Sequence, residues 1–203
     1  ISKAFSDTMI AIIDYNTGNI RSVMNALARM GATDCMLTAD ADVLRRASHV
    51  LLPGVGEAGT AMNELRSRRL DTLIPTLTQP VLGICIGTQL MCLASEEGDT
   101  TCMGIFPTRI VRFNDDSVKV PHMGWNTITQ LRSPLFAGTD EESYVYYVHS
   151  YYPELCDCTI ARTEYGVPFS GALMRDNFFG TQFHPEKSGP IGEQILRNFL
   201  ALD

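Results

Sequence analysis

The first half of the chain alternates between short, continuous apolar runs and stretches with an apolar residue every three or four positions. Residues 9–13, 50–52 and 81–85 are of the first kind, the pattern of strands covered on both faces. Ile20, Val23, Met24, Leu27 and Met30 are of the second kind and predict a helix, with Asn19 as its cap and Gly31 at its C-terminal end. A short strand at 35–37, a helical piece at 41–47, a helix marked by Ala58, Ala61, Met62 and Leu65, and a helix holding residues 90–94 complete the alternation. Strand and helix in turn predict an α/β fold with a central, mostly parallel sheet and helices on both faces.

The second half reads differently. Residues 108–113, 126–130, 143–149, 158–163, 171–175 and 178–183 are short strand patterns separated by turn residues, expected as antiparallel additions to the sheet. Ile191, Ile195, Leu196, Phe199 and Leu200 form the stripe of a closing helix, with Pro190 in its first turn. No repeat or low-complexity linker interrupts the pattern. One domain over residues 9–203 is expected, with residues 1–8 set aside as an expression remnant or loose arm.

Composition narrows the class. With 203 residues, 45% hydrophobic and 19% charged, the chain can bury a sizeable core. Sixteen Lys and Arg against 23 Asp and Glu leave a net charge of −7, which argues against a nucleic-acid or membrane partner. No apolar stretch approaches the roughly 18 residues of a membrane span. The six cysteines lack framework spacing and are expected reduced, in a cytoplasmic protein. Cys156-x-Cys158 has no second pair to complete a metal site, so neither metal nor cofactor is expected.

Gly83-Ile84-Cys85-Ile86-Gly87 carries the strongest chemical signal, because a strand leads into it and a helix leads out. Such a bend holds a nucleophile at the C-terminal end of a strand and at a helix N-terminus, where thiolate is favoured. The alternative is a buried cysteine between two packing glycines. A nucleophilic thiol needs a base and the base needs an orienter. Of four histidines, His184 is followed by Pro185 and Glu186; in an extended segment residues two apart project to one side, so Glu186 can reach His184. A surface loop explains the same three residues without chemistry. Pro53-Gly54-Val55-Gly56 could present backbone amides to an oxyanion. Residues 54–59 also match G-x-G-x-x-G, but Glu57 would repel a pyrophosphate. Tyr144, Tyr146, Tyr147, Tyr151 and Tyr152 cluster around His149, as core packing or as a partner surface.

Taken together, the elbow through Thr88-Gln89 and the His184-Pro185-Glu186 segment resemble the class I (triad) glutamine amidotransferases, with their flavodoxin-like α/β fold. Residues 14–19, 53–56, 121–126, 148–152 and 183–188 narrow the resemblance to the glutaminase subunits of imidazole glycerol phosphate synthases. The resemblance runs from Met9 to the C-terminus; Ile86 and Thr88 stand where Leu and Met are usual. It implies Cys85 as nucleophile, His184 as base and then acid, and Glu186 as orienter. It also implies Gly54 and Val55 as the oxyanion strand, and Gly56, Gln89, Glu97, Ser150 and Tyr151 as substrate-binding residues. Trp125, Tyr146 and Lys187 would lie toward a partner, a separate (β/α)8-barrel cyclase chain that receives ammonia and whose substrate switches the glutaminase on. The remaining readings are a glutaminase serving another acceptor, such as those of pyridoxal phosphate or anthranilate synthesis, and a non-catalytic α/β binding module.

Overall fold

A computed structural model describes residues 9–16, 20–114 and 116–203. The expected Asn19 cap and residues 1–8 lie outside the described residues. In chain order the elements are β1 (Ile10–Ile13), α1 (Ile20–Arg29), β2 (Cys35–Thr38), α2 (Ala41–Arg46), β3 (His49–Leu52), α3 (Ala58–Ser67), α4 (Leu70–Leu73), β4 (Val81–Ile84) and α5 (Ile86–Leu90). They continue with β5 (Ala94–Ser95), β6 (Thr100–Thr101), β7 (Arg109–Arg112), β8 (His122–Ile128), β9 (Ser143–His149), β10 (Tyr151–Pro153), β11 (Thr159–Tyr165), β12 (Val167–Arg175), β13 (Phe178–Thr181) and α6 (Gly189–Leu200).

Seven strands form the main sheet in the order β11-β12-β13-β4-β3-β1-β2. From β13 to β2 every pairing is parallel, and β11 and β12 add an antiparallel edge. Every residue of β1, β3, β4 and β13 is buried, so both faces of the sheet are covered. That burial is what lets their sequences run apolar without alternation.

Helix α1 ends in paired bonds from Ala32 N–H to the Leu27 carbonyl and from Gly31 N–H to that of Ala28, with Gly31 at φ +82°, the αL turn expected there. Its buried face is Val23, Ala26 and Leu27; Met24, assigned to that face from spacing, is 38% exposed. Ala58, Ala61, Met62 and Leu65 of α3 are buried as expected.

Two expectations need correction. Helix α5 stops at Leu90, and Ala94 belongs to a strand. Beyond Leu90 the backbone bonds sideways: Leu93 N–H donates to the Thr108 carbonyl and Phe106 N–H to that of Met91, which draws the segment into a small sheet, β10-β7-β5-β6. The later strands are also not all antiparallel additions to one sheet. β7 and β10 join the small sheet, β8 and β9 form a hairpin of their own, and β13 lies parallel beside β4 in the centre.

Candidate active site

The parallel pairing of β13 with β4 brings distant parts of the chain together, because both strands end at the same edge. Immediately after β4, Cys85 adopts φ +53°, ψ −109°, a conformation unusual for a residue with a side chain. The elbow's glycines make this bend possible. A Cβ on Gly87 would overlap the Leu52 carbonyl oxygen, and one on Gly83 would meet the Met91 side chain and the backbone of Gly87 and Thr88. The bend is then pinned: the Thr88 hydroxyl lies 2.9 Å from the Gly83 carbonyl and 2.8 Å from that of Thr181, joining α5 to both β4 and β13.

After β13 the chain turns through Gln182 and Phe183 to His184. His184 is extended, but the segment does not continue so as expected: Pro185–Lys187 is a single 3₁₀ turn. The turn still returns Glu186 to the imidazole, with Oε1 accepting from His184 Nδ1 at 2.8 Å, and both side chains are buried. Burial alone would push the His184 pKa down. The adjacent Cys85 and the Glu186 carboxylate outweigh it and raise it to about 10. The other ring nitrogen, Nε2, is buried with no aligned hydrogen-bond partner. His184 N–H donates to the Tyr146 carbonyl, and the Ser188 hydroxyl, which accepts from Tyr146 N–H, donates to the His184 carbonyl, so β9 holds the histidine's backbone.

Cys85 and His184 line one cavity of about 350 Å³. Val55, Gly56, Gln89, Glu97, Ser150, Tyr151 and Lys187 line it too. Gly54 does not: it is packed behind the elbow, where a Cβ would lie 2.7 Å from the Tyr15 hydroxyl and 2.8 Å from Gly87 N. Glu186 sits behind His184 rather than in the wall. Glu97 Oε2 accepts from Ala58 N–H at 2.8 Å; burial raises its pKa, that hydrogen bond lowers it, and the Glu57 charge raises it further, for a net rise. Glu57 itself caps α3, accepting from Gly59 and Thr60 N–H. Two carboxylates therefore occupy the helix start that the G-x-G-x-x-G spacing would offer to a phosphate.

Spacing alone did not single out Ile86, Pro121, Val148 and His149 as lining residues, nor the fully buried Gln182, whose Nε2 lies 3.6 Å from Cys85 Sγ. His149 is one of a buried pair. Its Nδ1 is 2.7 Å from the Tyr151 carbonyl and must donate, so in the neutral ring Nε2 accepts, from His122 Nδ1 at 3.0 Å. His122 Nε2 then accepts from Asn126 Nδ2, which also donates to the Glu164 carbonyl. Burial lowers the pKa of His122 to about 4 and of His149 to about 3. His122 is stacked between Tyr147 and Tyr165, at ring distances of 4.8 and 4.0 Å.

A family model described as glutamine amidotransferase class-I matches residues 11–202. The chain belongs to the class-I glutamine amidotransferases. A relative from Bacteroides thetaiotaomicron, named imidazole glycerol phosphate synthase subunit HisH, is 55% identical over 195 residues, 95% of this chain and 99% of that one. A relative of the same name from Shewanella sediminis is 47% identical over 203 residues, 98% of this chain and 93% of that one. Solved structures share the fold: a glutamine amidotransferase at TM-score 0.73 and 14% identity, over 95% of this chain and 97% of that one, and one from Thermotoga maritima at TM-score 0.67 and 16% identity, over 95% and 82%.

In this amidotransferase the outer face of the β8–β9 hairpin is exposed. Register pairs Trp125 with Tyr146 and Met123 with Val148, and Met123, Trp125 and Tyr144 are each more than half exposed. Lys187 Nζ stands 6.0 Å from the centre of the Tyr146 ring. All six cysteines are free thiols. Among the described residues no helix is long and apolar enough to cross a membrane.

Proposed function

We propose that this chain is the glutaminase subunit of an imidazole glycerol phosphate synthase, hydrolysing L-glutamine to glutamate and ammonia for a separate cyclase subunit. One observation carries the chemistry: a cysteine on a strained elbow and a histidine bonded to a buried carboxylate line the same cavity. The identity to the two subunits named above supports the choice of acceptor.

The Cys85 sulfur attacks the γ-carboxamide carbon. The oxyanion that forms is met by backbone amides, that of Ile86 after the nucleophile and that of Val55 in the cavity wall, with Gly54 holding the strand against the elbow. His184, its proton favoured by Glu186, protonates the leaving nitrogen, and ammonia departs from a γ-glutamyl thioester. A water deprotonated by His184 then cleaves the thioester, releasing glutamate and regenerating the thiol. Glu97 is the wall's carboxylate for the substrate ammonium. The Gln89 side-chain carbonyl, buried without a partner, is an acceptor for a substrate N–H. Gly56, Ser150 and Tyr151 complete the walls.

Ammonia passes to a (β/α)8-barrel cyclase, which uses it to make imidazole glycerol phosphate and an aminoimidazole carboxamide ribotide. Trp125, Tyr146 and Lys187 form the docking face, supported by exposed aromatic area and a cation at the cavity's rim. In the complex with the cyclase, Cys85→Ala should lower glutamine-driven product formation by more than about a thousandfold. Synthesis from added ammonia should survive. Equal loss of both would refute the division of labour.

A further inference from the structure

The proposed nucleophile has a neighbour that the triad does not use. Gln182 is fully buried two residues before His184, and its side-chain amide bridges two groups of the site: Nε2 lies 3.6 Å from Cys85 Sγ, and Oε1 accepts from Gln89 Nε2 at 2.9 Å. Gln89 Nε2 also donates to the Tyr151 carbonyl at 3.0 Å.

An amide's oxygen and nitrogen can exchange places by a half-turn, so which end faces the sulfur must be argued from its partners. The Tyr151 backbone oxygen can only accept, so the Gln89 nitrogen must point to it. That nitrogen then also faces Gln182, which must answer with its oxygen. The Gln182 nitrogen is left facing Cys85. Reversal at Gln182 would set two NH2 groups against each other in a buried space, and reversal at Gln89 would set two carbonyl oxygens together. One backbone carbonyl thus fixes a donor on the sulfur through two side chains.

We infer that Gln182 is a positioning residue for the reaction, holding an N–H donor on the Cys85 sulfur so that the thiolate is stabilised before glutamine arrives. This rests on the reading of Cys85 as nucleophile. A hydrogen bond favours an anionic acceptor over a neutral one, so the donor's effect falls on thiolate far more than on thiol. The cavity lies on the sulfur's open side and Gln182 on its buried side, since Gln182 is no part of the cavity wall. The donor therefore remains in place during attack.

The test is the pH dependence of Cys85 alkylation by iodoacetamide in the full chain, read by mass spectrometry of the peptide carrying residue 85. Gln182→Leu removes the donor. Gln182→Met keeps a similar length and removes the donor without adding a charge beside the sulfur. In both variants the alkylation midpoint should rise by about one pH unit or more, the size expected of a hydrogen bond to a charged group. Unchanged midpoints in variants with native circular dichroism would overturn the inference, because a packing role moves stability and not the thiol's titration. If the leucine variant does not fold, the methionine variant decides. A wild-type Cys85 that resists alkylation at every pH would instead overturn the nucleophile reading itself, which separates the two failures.

Discussion

The His122–His149 pair makes the fold sensitive to acid in a way that can be calculated. Both rings are neutral in the folded protein, and burial holds them so down to about pH 4 and about pH 3. In the unfolded chain each takes up a proton near 6.5. Below 6.5 the unfolded state therefore binds more protons, and stability falls as the pH falls. Above about pH 7 neither histidine contributes. At about 1.4 kcal/mol per pH unit, the step from 6.5 to 5 costs about 2 kcal/mol for each histidine. Two such losses are a large share of the roughly 5 to 15 kcal/mol that holds a domain together. His49, also pushed down by burial, adds to the loss, while His184, raised to about 10, acts in the opposite sense as the pH drops toward 6.5. Comparison with His122→Phe cancels these background groups. Phenylalanine keeps the stack between Tyr147 and Tyr165 but cannot titrate. Urea unfolding followed by far-ultraviolet circular dichroism at pH 7 and pH 5 should show the wild type losing about 2 kcal/mol more than the variant over that interval. Equal losses would mean that His122 takes up its proton alike in the folded and unfolded protein, which would refute the reasoning.

Thr88→Val keeps the side-chain shape but removes the hydroxyl shared by the Gly83 and Thr181 carbonyls, and should cost about 1 to 2 kcal/mol in urea unfolding; an unchanged midpoint would deny it a role in joining β4 to β13. Glu186→Gln retains an acceptor for His184 Nδ1 but not the charge, so the histidine's pKa should fall from about 10, the alkaline limb of the glutaminase pH profile should move to lower pH, and turnover should drop by at least about a hundredfold. A profile that does not move would assign the orienting role to another group.

Much of this site was legible because its signals are local. A continuous apolar run, two glycines and a cysteine describe the elbow within a few residues, and the structure bends there as read. His184 and Glu186 were found by two-residue spacing, and they meet, although through a 3₁₀ turn in place of an extended segment. The same spacing applied equally to Gln182, but glutamine in a strand-like segment carries no chemical signal until its neighbours are known. Three features escaped because they depend on partners far along the chain. Residues 178–181 look alike whether they pair at an edge or in the centre of a sheet. Ala94 leaves helix α5 only because Thr108 and Phe106 supply competing backbone partners. Met24 has the right spacing for the core, yet the smaller Ala26 occupies that face of α1.

The placement of β13 beside β4 has a consequence for how the enzyme is made. A nascent chain that has emerged past Gly87 already carries its sulfur, yet the imidazole proposed to serve it is translated about a hundred residues later. Until β13 docks beside β4, a shorter polypeptide holds that thiol without the imidazole proposed to be its proton donor.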